Sequence, residues 1–571
     1  MRFSKTVSLL MIILLSWISV CVAGAPQAKE ESPRIKAVRK FADTVLKHGR
    51  DTYREKTTPL FVDGLNVDTL EPVRWKLKGQ EWIPSNLARQ QNLLRTLVGL
   101  SNLTGDPCYH DAAAATVKYH IEHLQSENGL FQWGGHRLID LATGEPRGEG
   151  KMVHEMKFVL PFYELFWEVD PKATERFIKA FWNAHVLDWK NLDMTRHGSY
   201  GKRASDLWES KFKQPEPFFE GRGLTFIHTG SDLIYSAAML YRFNGDKGAM
   251  LWSKRMAEQY VRARHPKTGL GVFQYTKPTR RGTPPAEGPL VGRYTHSTFG
   301  DRAENQFGAE FGEVAKEGYL LTAPEAIYGN NAIMELQLAE QLGDEEKEFL
   351  KWTVDGLKAY ARYAYDAKTN MIRPMWADGT DLTGYVFKRT GYYGAKGRVW
   401  AKRPASALFF YAYTLGYRLS PDETLWKTAR AMARGYGLGD IGTTPGKDIK
   451  LDPDTACSSP ILLFAMLELC RISDDPAYRA MAVRLGDNIV KHRFRNGLFV
   501  PSEDCLNASF DTAEPPALLS LEAMLRGKPD AVPRWNSGAG YFHCPYDGLG
   551  RSTDFRALWS VRRVNAEKKG K

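Results

Sequence analysis

The sequence carries no Cys-x-x-Cys pair, no phosphate-binding loop and no Gly-x-Ser-x-Gly elbow. A thiolate zinc site, a P-loop nucleotide hydrolase and a serine hydrolase of that type are therefore excluded as first readings. The 6 cysteines include Cys21 near the N-terminus, and the others, Cys108, Cys457, Cys470, Cys505 and Cys544, are odd in number. A disulfide framework is not what holds the chain together. Beyond residue 25 no apolar run is long enough to span a bilayer, so stable membrane insertion is not expected. No low-complexity linker splits the chain; residues 279–289, rich in Gly, Pro and Arg, read as a surface loop. Lys and Arg form no concentrated run except in the tail at residues 566–571, and no zinc-finger or RNA-binding motif occurs. Nucleic acid is not expected as a partner.

At the N-terminus Arg2 and Lys5 precede an apolar stretch, residues 7–22, and the small residues Ala23, Gly24 and Ala25 follow. That layout predicts a cleaved export signal over residues 1–25, a periplasmic or secreted product, and one domain over residues 26–571. The formal net charge is +12 and aromatics make up 12% of the chain, with 15 Trp and 25 Tyr. A basic, aromatic-rich protein suits an acidic partner with faces to stack on, such as an acidic polysaccharide.

Helical periodicity dominates. Ser32-Pro33 reads as a helix start, followed by Ile35, Val38, Phe41 and Val45 at helical spacing. Asp170-Pro171 opens another helix, with Phe177, Ile178, Phe181 and Trp182 on one side. A turn recurs between such stretches: Gly105-Asp106, Gly245-Asp246, Gly343-Asp344 and Asp474-Asp475. Glycine supplies the left-handed cap of one helix, and aspartate caps the next. The pattern is a degenerate array of helical hairpins. We expect an all-α chain, an α/α toroid of about seven hairpins with a loop-built cleft and a few short strands.

Three stretches combine residue types suited to one site: Trp133-Gly134-Gly135-His136, His154-Glu155-Met156-Lys157 and Arg196-His197-Gly198. Two imidazoles and a carboxylate favour a divalent transition ion over Ca2+, which takes oxygen ligands. By residue type alone, His154 competes with Glu155, and any of these side chains could be structural.

The stretch at residues 152–169, together with Arg196-His197-Gly198, Phe299-Gly300-Asp301-Arg302-Ala303 and Gln306-Phe307-Gly308, resembles the family 2 pectate lyases. Arg89-Gln90-Gln91 and residues 101–106 are similar to that family's N-terminal region. The resemblance implies the toroid fold and metal-assisted β-elimination on polygalacturonate-type substrates. It implies His136, Glu155 and His197 as metal ligands, with Mn2+ the first choice and Ni2+ or Co2+ after it, and Arg196 as the catalytic base. A base at this position must shed a proton from an ordinarily permanent cation, which desolvation and a nearby metal charge favour. As a residue alone, Arg196 could equally clamp a substrate carboxylate. Arg302 is the expected second cation of the site, with Arg293 as its alternative. Trp133 and Lys157 complete the expected substrate contacts, Trp133 by stacking unless it is a core residue. Two rival readings remain at this stage: a toroidal glycoside hydrolase using carboxylates among Asp193, Glu220, Asp232 and Asp301, and a non-catalytic protein that binds acidic glycans.

Overall fold

The architecture follows from where each helix can hide its apolar surface. The structure is a computed structural model that describes residues 31–77, 79–148, 153–202, 207–278, 299–316, 324–343, 347–536, 541–545 and 551–563. The expected export signal, the loop at residues 279–289 and Arg293 lie outside these residues.

Helix α1 (Pro33–His48) starts as the sequence predicts, with Ser32 Oγ accepting from Ile35 N at 3.2 Å. The chain then forms hairpins α2/α3 (Gln91–Thr104, Pro107–Tyr119), α4/α5 (Tyr163–Val169, Pro171–His185) and α6/α7 (Ile227–Asn244, Lys247–Arg262). A separate helix α8 (Phe299–Phe311) follows. The next hairpins are α9/α10 (Ala332–Leu342, Lys347–Tyr363), α11/α12 (Ala407–Leu419, Glu423–Gly435) and α13/α14 (Pro460–Ile472, Pro476–Arg493). Helix α15 (Glu514–Leu525) takes α1 as its outer partner, so the two ends of the chain make the last hairpin.

From α4 onward the first members of these hairpins pack on one another in sequence order, and α15 returns to α2. Gln91 and Arg95 of α2 reach the segment before α4, through Phe162 N at 2.7 Å and Leu160 O at 2.9 Å. The result, among the described residues, is an inner ring of seven helices inside an outer ring of seven: an all-α toroid. Inner helices are buried nearly all round, as at Leu462–Leu469 of α13. Outer helices bury one stripe, as at Leu425, Trp426, Ala429, Met432 and Ala433 of α12.

Inner-to-outer turns are short. Gly105 and Gly245 take φ values of 76° and 75°, and Asp106 and Asp246 cap the helices that follow. Outer-to-inner connections are long and gather on the opposite face, with short strands such as the antiparallel sheet of Pro84–Ser85, Leu138–Asp140 and Glu145–Arg147. Other short strands on these connections are Met371–Ile372 and Leu498–Phe499, while Leu130 and Phe131 are irregular backbone after a turn at residues 127–129. No helix among the described residues is long and apolar enough to cross a membrane.

Candidate metal and catalytic site

Three stretches, carried by two outer-to-inner connections (α3 to α4 and α5 to α6), meet at one place. The first follows α3. Asn86 Nδ2 donates to Gly134 O at 3.0 Å and fixes the Gly134-Gly135 turn. Gly134 has φ +99°, and a Cβ there would overlap the Glu155 carbonyl; one on Gly135 would overlap the Glu155 carboxylate. Glycine is what lets this backbone lie against Glu155 and set His136 beside it.

The other two strands are joined by His154 and Gly198. His154 N donates to Gly198 O at 3.1 Å, and Gly198 N to His154 O at 2.8 Å. This antiparallel bridge sets Glu155 opposite His197. His154 itself turns away. Its Nδ1 lies 3.0 Å from His185 Nε2, among Phe177 and Phe181, and burial holds it neutral, well below the usual histidine range. Glu155, not His154, therefore faces His136 and His197.

Glu155 is 1% exposed. Its Oε2 is 3.4 Å from His136 Nε2 and its Oε1 is 3.4 Å from His197 Nε2. One ligand atom from each residue lies within 4.8 Å of the other two. Two donors on a common ion at about 2.1 Å are themselves about 3.0–3.4 Å apart, so the trio fits a divalent transition ion. Burial works against the Glu155 charge, but Lys157, His197, Arg196 and His136 outweigh it and hold the carboxyl well below its ordinary value. Lys157 Nζ is 2.8 Å and Arg196 Nε 3.6 Å from Glu155 Oε1. Burial lowers the His197 pKa, against the pull of Glu155, and so favours the neutral ring that can ligate.

The sequence reading missed two residues here. His543 stacks on His136 with ring centroids 5.0 Å apart, and its N–H bonds Gly135 O. Tyr541 meets Lys157 through its hydroxyl, and Lys157 Nζ lies 4.4 Å from the Tyr541 ring centroid. Both arrive on the C-terminal segment 541–545, far from the other site residues in sequence, and no motif marks them. Phe542 between them anchors the segment in a satellite core with Trp75 and Trp82.

One expectation is corrected. Trp133 is 0% exposed and packs against Phe177 at 6.2 Å, so it has no face to offer a sugar. The backbone of Arg302 lies in α8, and its side chain is outside the described residues. Two carboxylates of the hydrolase reading, Asp193 and Asp232, are occupied elsewhere. Asp193 accepts from Arg222 N and Gly223 N at 2.8 and 3.0 Å, and Asp232 from Phe158 N at 3.0 Å. Glu220 lies on an edge strand paired with Thr276–Pro278, and the Asp301 side chain is outside the described residues.

A sequence profile of the family described as periplasmic pectate lyase matches residues 58–545. The chain belongs to this family. This pectate lyase is a polysaccharide lyase, and the hydrolase and glycan-binding readings fall away. It is 35% identical over 555 residues to the pectate disaccharide-lyase of Dickeya dadantii (strain 3937), covering 94% of this chain and 96% of that protein. Solved structures are more distant. The cellobiose 2-epimerase of Bacillus thermoamylovorans B4167 gives a TM-score of 0.42 at 8% identity, covering 77% of this pectate lyase and 98% of that chain. An alpha-1,6-mannanase of Salegentibacter sp. HEL1_6 gives 0.36 at 10% identity, covering 86% and 99%. Nothing about the reaction is taken from those two.

Proposed function

We propose that this pectate lyase cleaves de-esterified pectate by β-elimination at a site where His136, Glu155 and His197 hold one divalent transition ion and Arg196 removes the C5 proton. The observation that carries the reading is the buried Glu155 carboxylate, faced by His136 and His197 nitrogens at 3.4 Å each. Mn2+ is the first candidate, then Ni2+ or Co2+, because the donor set mixes nitrogen and oxygen. When bound, the ion acts as a Lewis acid toward the substrate's C6 carboxylate.

The remaining work belongs to side chains. Arg196, directly before His197 in sequence and 3.6 Å from Glu155 Oε1, is close enough to the proposed ligands to reach a substrate held there. It takes the proton from C5, the C4–O4 bond breaks with its electron pair going to oxygen, and a C4–C5 double bond is left. Lys157 offers an ammonium beside the same place and favours a substrate carboxylate there. Arg302 and Arg293 remain the cations proposed for further uronate carboxylates. The name of the relative supports unsaturated disaccharides as the product class. The N-terminal layout and the family's description support export to the periplasm.

The test is direct. Purified protein incubated with polygalacturonate should generate products that absorb in the ultraviolet, because each carries an unsaturated uronic end. New reducing ends without that absorbance would mean hydrolysis and would overturn the proposal.

A further inference from the structure

Half of the formal net charge of +12 sits in 19 residues that the catalytic site does not use. Residues 385–403 carry Lys388, Arg389, Lys396, Arg398, Lys402 and Arg403 and no Asp or Glu. Aromatics are interleaved with them: Tyr385, Phe387, Tyr392, Tyr393 and Trp400. Three of the cations are offset by local acids: Lys388 by Glu310 at 2.8 Å, Lys402 by Asp366 at 2.6 Å, and Arg403 by Glu325. A positive surplus remains around the tip, where Lys396 and Arg398 are exposed and Tyr392 is 54% exposed.

This loop is held in place. Phe307 of α8 lies 5.5 Å from Trp376 and 5.7 Å from both Phe387 and Trp400, in a satellite apolar core. Gln306 Nε2 donates to Arg389 O and Gly394 O at 3.0 and 2.9 Å, and its Oε1 accepts from Tyr393 N at 2.9 Å. The loop also faces the right way. It joins outer helix α10 to inner helix α11, and the Glu155 and His197 loops likewise join outer to inner helices. All three therefore emerge on one face of the toroid. A continuous path of contacts connects them. Arg222, directly after the Phe219–Gly221 strand, donates its backbone N–H to Asp193 near Arg196, and that strand pairs with Thr276–Pro278, on which α8 packs.

We propose that residues 385–403, mounted on α8, form a docking platform for an anionic polysaccharide chain, engaging uronate units beyond those at the metal site. Lys396 and Arg398 face carboxylates, and Tyr392 offers a ring to a sugar face. The platform rests on the pectate reading above, and raises the share of encounters in which a long chain stays on the enzyme.

Two measurements on the Lys396→Glu/Arg398→Glu double variant test this, with Tyr392→Ala as a second variant. For long polygalacturonate, KM should rise roughly fivefold or more with kcat unchanged, while kinetics on trigalacturonate stay as in the wild type. The wild-type advantage on long chains should shrink as salt rises, and the double variant should show no such dependence. An unchanged KM on the long polymer, or an equal loss on trimer and polymer, would overturn the platform. Electrophoresis through a gel containing polygalacturonate separates this from the catalytic reading. Retardation of the wild type but not the variant upholds the platform even if no lyase product forms. Equal retardation of the two, each measured against a gel without polygalacturonate, sinks the platform whatever the activity.

Discussion

His154 and Gly198 exchange both backbone hydrogen bonds, at 3.1 and 2.8 Å, and this one bridge sets Glu155 opposite His197. It also predicts the most damaging small change near the site. A Cβ on Gly198 would overlap the His185 ring, and that ring is pinned by Thr195 O at 2.7 Å and His154 at 3.0 Å. Gly198→Ala should open the bridge at a cost of about 1–3 kcal/mol. Metal retention should fall sharply while the helical circular dichroism signal persists. A variant with wild-type metal content would show that the bridge does not set the site.

Arg196→Lys separates a base from a clamp. It keeps a cation, so a clamp would show a raised KM with kcat close to wild type. A base should lose kcat by about 100-fold or more, because the reach and plane of the guanidinium are gone. His197 is untouched, so bound metal should remain. Steady-state kinetics on metal-loaded protein decide the matter, and a preserved kcat would remove Arg196 from proton transfer.

Much of this was legible in the sequence, for reasons that can be named. The inner-to-outer turns announce themselves because a left-handed glycine and a capping aspartate are local requirements, as at Gly245-Asp246. The pairing of α15 with α1 was not legible, since nothing local in either helix names a partner at the other end of the chain. His136, Glu155 and His197 stood out by residue type and by resemblance. Trp133 did not reveal its role, because an aromatic beside a site histidine looks the same whether it stacks on sugar or fills a core. His543 carried no signal: a single histidine near the C-terminus acquires meaning only when a strand anchored by Phe542 delivers it to His136. The basic loop escaped notice because its cations are spaced by aromatics and glycines and never form a run.

His120 makes acid stability predictable. It is fully buried at the end of α3, neither ring nitrogen has a hydrogen-bond partner among the described residues, and burial pushes its pKa from 6.5 down to about 3. The unfolded chain therefore takes up a proton first as pH falls, and stability is lost between the unfolded and folded values. This group should cost about 3 kcal/mol of stability between pH 7.5 and pH 4. Denaturant unfolding of His120→Phe should show a smaller loss over that interval. An identical pH dependence in variant and wild type would contradict the assignment.

Ester content of the substrate tests the carboxylate requirement. A methyl ester is neutral and a poor ligand, and it removes the charge that Lys157 would meet. Turnover on de-esterified pectate should exceed that on highly methylated pectin by about tenfold or more. Equal rates would remove the substrate carboxylate from the mechanism.

Under the proposed function, the metal ion held by His136, Glu155 and His197 makes the elimination possible. The direct measurement is the rate of ultraviolet-absorbing product from polygalacturonate by chelator-stripped protein, before and after Mn2+ is added back, run alongside Glu155→Ala with metal content determined for both. Stripped wild-type protein should be nearly inactive and recover with Mn2+, while Glu155→Ala should bind little metal and not recover. Full activity in stripped protein, or a Glu155→Ala variant that retains its metal and its rate, would contradict it.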